Sequence, residues 1–162
     1  MNEQKQNTLI QVGMWLAVLV GSMYGLLFTL LGYIFDVGPG SGMEGQFWKI
    51  LLVAIPSILI AAYIGELIVR KLAQRMLKSN LSMLTYKFRL FTIVLIGCTV
   101  AFIVGFEVGY ILGKITGTIS GIEWAEILIR GPAMALIIGI PIALIVAIFY
   151  SVFVHFYLKA EN

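Results

Sequence analysis

The stretch Gly97-Cys98-Thr99-Val100-Ala101-Phe102-Ile103-Val104-Gly105-Phe106-Glu107-Val108-Gly109-Tyr110-Ile111-Leu112-Gly113 places a small residue at every fourth position. Gly117 and Gly121 continue the count. In a helix, residues four apart lie nearly one above the other, so Gly97, Ala101, Gly105, Gly109 and Gly113 form a shallow groove. A groove of this kind lets a second helix backbone approach closely, the main way helices associate inside lipid. The first apolar stretch carries the same ladder 84 residues earlier, as Gly13, Ala17, Gly21 and Gly25, followed by Thr29. The two ladders predict that the first and third apolar segments pack on each other.

Composition sets the surroundings. The chain of 162 residues is 60% hydrophobic and 12% charged, with a mean hydropathy of +1.01. Charged residues make up about a quarter of an ordinary soluble domain, so this chain has too little polar surface to cover itself. Its four long apolar stretches predict an all-α integral membrane protein with four transmembrane helices in a single membrane domain. The net charge of +3 is concentrated at one membrane boundary and predicts no nucleic-acid binding. Cys98, alone of its kind, can form no intrachain disulfide.

The spans follow from punctuation. The first covers about 8–35, too long for a signal-peptide core and without an A-x-A-like cleavage site, and it ends at Asp36 and the run Gly38-Pro39-Gly40-Ser41-Gly42. The second covers 47–69, with Trp48 as an interfacial anchor and Pro56 as a kink, and continues as an amphipathic extension carrying Arg70, Lys71, Arg75 and Lys78 that breaks near Ser79-Asn80. The third covers 90–113. The last apolar segment, Ile122 to Leu158, would be about 55 Å long as one helix, against a hydrocarbon core of about 30 Å. A break at Gly131-Pro132 is therefore expected. It makes 121–130 an outer interfacial half-helix holding Trp124, and 132–153 the fourth span, kinked near Pro141. Between Arg70 and Arg89 lie six basic residues and no acidic one. Basic loops stay inside, so the 70–89 loop and both termini are expected in the cytoplasm, at a bacterial inner membrane.

The 84-residue offset also pairs Thr8 with Thr92, and Pro56 and Pro141 recur one residue out of step. Gly42-Met43-Glu44 and Gly121-Ile122-Glu123 precede the even-numbered spans. Either glycine-rich apolar text matches itself by composition, or the chain is a tandem two-helix repeat. In the second case the halves are parallel, related by an axis along the membrane normal.

Among polar residues, Glu107 leads. It lies about 200° around the helix from Gly105, opposite the ladder, and a charge at the bilayer centre costs about 2.5–3.5 kcal/mol or more. It reads either as a transport residue in a protein-covered or wet cavity, or as a structural partner of Arg130, Lys114 or Tyr110. Glu66 and Arg70 stand at i,i+4 spacing and read as an interfacial ion pair or as the lining of an inward cavity. Arg70, Lys71, Arg75, Lys78, Lys87 and Arg89 read as a topology signal, a contact with anionic lipid, or a docking surface for a partner. His155, among Tyr150, Phe153, Phe156 and Tyr157, reads as part of an aromatic belt.

One histidine, one cysteine and no phosphate-binding loop give no catalytic or metal-binding constellation. No enzyme activity and no cofactor are expected. Two functions fit: an oligomeric channel or small transporter, or a non-catalytic subunit or assembly factor whose glycine faces receive partner helices. The partners expected are membrane lipids, further copies of the chain, or other membrane subunits.

Overall fold

The computed structural model describes residues 3–36, 43–77, 82–117 and 124–159. Of the residues named above, those at 38–42, 78–80 and 121–123 lie outside that set, as do the surroundings of Gly25 and Thr29 and the side chains of Trp124 and Arg130. Four helices make up the described chain: α1 Glu3–Asp36, α2 Met43–Met76, α3 Met83–Ile115 and α4 Trp124–Lys159. Three segments are long and apolar enough to cross a membrane: Leu51–Met76, Met83–Ile115 and Ala135–Lys159. α1, whose side chains are described only as far as Met23, is not among them.

The helices run further than the expected spans. The amphipathic extension of the second span is part of α2, which continues to Met76, and α3 begins at Met83, so Arg70, Lys71 and Arg75 ride on α2 and Lys87 and Arg89 on α3. Local chemistry fixes both ends. The Ser82 hydroxyl accepts the Thr85 N–H at 3.3 Å, an N-cap that starts α3. The Arg89 guanidinium donates to the carbonyl of Met76, one of the last-turn carbonyls that no amide of α2 can satisfy.

The expected half-helix at 121–130 is not a separate element. α4 is continuous from Trp124 to Lys159 through both Pro132 and Pro141. A proline withholds one amide donor, and a helix packed on its neighbours tolerates that loss in an apolar setting. α2 shows the same tolerance at Pro56, where the following Ser57 hydroxyl donates to the Val53 carbonyl at 2.6 Å.

α3 touches all three other helices. α1, α2 and α3 pack mutually, while α4 lies along α3, meets α1 lightly and shares no described contact with α2. The arrangement follows from buried stripes of period four. α1 buries Leu9, Gly13, Ala17 and Gly21; α2 buries Ser57, Ala61, Gly65, Val69 and Ala73; α4 buries Ala135, Gly139, Ala143 and Ala147. α3 buries two adjacent stripes, its glycine ladder and the row Leu90, Val94, Cys98, Phe102 and Phe106. A helix with two such stripes can hold neighbours on two sides.

The described residues from Gly13 to Gly21 and from Gly97 to Gly113 in the two ladders are therefore buried, while Gly117, which continues the count, is exposed. α1 and α3 do pack on each other, with Gly13 against Val94, but the ladders do not close face to face, because α2 stands between them at Gly65. A methyl group built on Gly65 would stand 2.8 Å from the Ala101 Cβ and 3.4 Å from the Ala17 Cβ, which puts this glycine between the two ladders. Gly97 backs onto Val69 and Gly21 onto Ala61, both on α2. Small residues on α2 let it come as near as the ladders allow, and its direct connections to α1 and α3 keep it beside them.

Candidate functional site

Glu107 sits on α3 between Ile103 and Tyr110, which pack against a cluster of Phe102, Phe106 and Ala135 at the α3–α4 seam. The Tyr110 ring stacks on Phe106 with centroids 4.7 Å apart. The rest of the seam is close-packed: a methyl on Gly139 would lie 2.5 Å from the Phe102 ring. Glu107 thus borders an apolar and aromatic contact. Its Oε1 is buried and, among the described residues, has no hydrogen-bond partner. Buried polar oxygens are normally satisfied, and one that is not calls for an occupant such as a proton-bearing donor, an ion or water. A carboxyl group so placed can take up and release a proton, bind a cation, or accept a donor from another helix. The suggested partner Arg130 has its side chain outside the described residues, so this pairing stays an expectation.

Glu66 and Arg70 do form the expected pair on α2, with Arg70 Nη2 donating to Glu66 Oε1 at 2.5 Å. Both groups are well exposed, so the pair adds little to stability. Arg70, Lys71 and Arg75 are exposed, and Lys87 and Arg89 half-buried, at one end of the bundle. The N-terminal turns of α1 and the C-terminal turns of α4 share that end, where Lys87 Nζ lies 3.4 Å from His155 Nδ1.

Tyr150 departs from the aromatic-belt reading. It is 1% exposed, and its hydroxyl donates to the Leu9 carbonyl at 2.7 Å, tying α4 to α1. Gly13 lies beside this contact, where a methyl would stand an ordinary 3.7 Å from the Tyr150 hydroxyl oxygen but only 2.9 Å from Val94 Cγ2 on α3. Phe153 and Phe156 are exposed, as an interfacial belt requires. Among the described residues no three of His, Cys, Asp and Glu gather as metal ligands would.

Sequence reasoning missed the α2 and α4 stripes, because each holds a single glycine amid alanines that read as ordinary apolar text. It also missed a groove between α1 and α2 at the basic end, lined in part by Gln6, Gln11 and Gln74. The four carboxamides that line it, Gln6, Asn7, Gln11 and Gln74, were its signal. No protein-family model matches the chain, and no curated protein or solved structure matches it either.

Proposed function

We propose that the chain is a four-span integral membrane protein of transport type, an oligomeric channel or small transporter, with Glu107 lining a protein-covered or wet path. The observation that carries this reading is the buried Glu107 oxygen without a described partner, set in an apolar seam. Apolar segments in α2, α3 and α4 support membrane insertion, and the clustering of basic residues at one end supports cytoplasmic termini; the membrane we propose is a bacterial inner membrane. Four helices of 33 to 36 residues are what a duplicated two-helix unit would leave behind. The reading includes no enzyme activity and no cofactor.

Glu107→Gln keeps the side chain's size and removes its proton. In vesicles containing the purified chain, it should reduce proton or cation flux at least tenfold while the particle mass is unchanged. Equal flux from both proteins removes the transport reading. The rival, a subunit or assembly factor whose glycine faces receive foreign helices, has less support, because the described ladder residues are used inside the chain itself.

A further inference from the structure

Between the first turns of α1 and the last turns of α2, a groove of about 370 Å³ opens at the basic end of the bundle. Its exposed lining is polar without a single acid: Asn7, Gln11 and Gln74 present carboxamides, and Arg70 presents its guanidinium. Deeper in, the half-buried Ile10 and Met14 and the buried Leu77 give an apolar floor. One donor of Arg70 goes to Glu66, yet the side chain is 59% exposed and a guanidinium carries five N–H donors. Donors therefore remain for an anion, and the planar fork suits a phosphate. Carboxamides both donate and accept, which suits ester and hydroxyl oxygens, and the floor suits an alkyl chain. The surrounding Lys71 and Arg75 add a positive field.

We infer that this groove binds one anionic phospholipid, with its phosphate on Arg70, its ester and headgroup oxygens on Gln11 and Gln74, and its upper chain against Ile10 and Met14. The inference rests on the membrane reading of the chain but not on the role of Glu107. It also differs from a general attraction of basic residues to an anionic leaflet, because it assigns one site with a defined lining.

Native mass spectrometry of the full chain in mild detergent tests it, with phosphatidylglycerol and phosphatidylcholine of identical chains. One phosphatidylglycerol per chain should be held at least tenfold more tightly than phosphatidylcholine. Arg70→Gln and the double variant Gln11→Leu, Gln74→Leu should each weaken it about tenfold, roughly 1.4 kcal/mol. Arg75→Gln removes an equal charge outside the groove and should change it less than twofold. The double variant leaves the Glu66–Arg70 pair intact, so it carries the test even if Arg70→Gln fails to fold. Three results each overturn the inference: equal weakening by Arg75→Gln and Arg70→Gln, equal affinity for the two lipids, or displacement of the lipid by millimolar inorganic phosphate. Glu107→Gln should leave lipid retention unchanged, which separates this site from the transport reading.

Discussion

At the scale of single residues, the glycines of this bundle are not equivalent. A methyl on Gly97 would stand 2.3 Å from Val69 Cγ2, and one on Gly139 would stand 2.5 and 2.8 Å from ring atoms of the buried Phe102. Neither neighbour yields easily, since Val69 is β-branched in a helix and the Phe102 ring is 1% exposed. Overpacking of this kind costs about 1–3 kcal/mol. A methyl on Gly21 would instead meet Ala61 no closer than 3.4 Å, an ordinary contact. Gly97→Ala and Gly139→Ala should therefore lower the unfolding midpoint in detergent, while Gly21→Ala stays within about 1 kcal/mol of the parent. Equal effects at all three would show that these contacts do not set the cost. Tyr150 gives a second residue-level expectation. Tyr150→Phe keeps the ring and removes the bond to the Leu9 carbonyl. Hydrogen bonds between membrane helices average about 0.6 kcal/mol, so the loss should be small but measurable.

At the scale of elements, α4 is held by one seam. Its small stripe lies on α3, and the Tyr150 bond is its one described hydrogen bond to α1. Cys98 is fully buried in the same packed cluster as Ala143 and Tyr150, and so reports on this seam. Ala143→Leu should force α4 away and raise the rate of Cys98 alkylation at least tenfold, whereas a bulky change at exposed Leu136 should not. An unchanged rate would mean that the seam does not control access to the thiol. The seam also shows what was legible in the sequence and what was not. The α3 ladder could be read because glycine is conspicuous in apolar text, and its burial follows from that alone. The partner of the ladder could not be read, since Ala61 and Gly65 look like routine apolar filling until the helices are in place. The break between α2 and α3 was legible at Ser79-Asn80, but the helix ends at Met76 and Met83 were not, because charge marks where a chain leaves lipid while helices end where caps form. Glu107 was visible as an acid in an apolar segment, whereas its position beside the Phe102–Phe106–Ala135 cluster needed the α3–α4 register.

At the scale of the whole molecule, the open question is whether α1 crosses with the others. It is not among the three candidate spans, yet its packing places it at their depth. Gly21 lies against Ala61, Ala17 beside Gly65, and the Leu9 carbonyl receives Tyr150, so α1 runs alongside α2 and reaches α4 near its C-terminal end. Under the proposed four-span reading, lipid that covers α2, α3 and α4 over that length covers α1 as well. An even number of antiparallel spans then brings Gln4 and Lys159 to one side and Ile115 to the other. All three are exposed, and buried Cys98 should stay silent. With a membrane-impermeant maleimide on intact cells, Ile115→Cys should react, while Gln4→Cys and Lys159→Cys should react only after permeabilisation. Reaction of Gln4→Cys alone would leave α1 outside the span count despite its packing. Reaction of both terminal positions, with Ile115→Cys protected, would keep four spans and invert the molecule against its basic end.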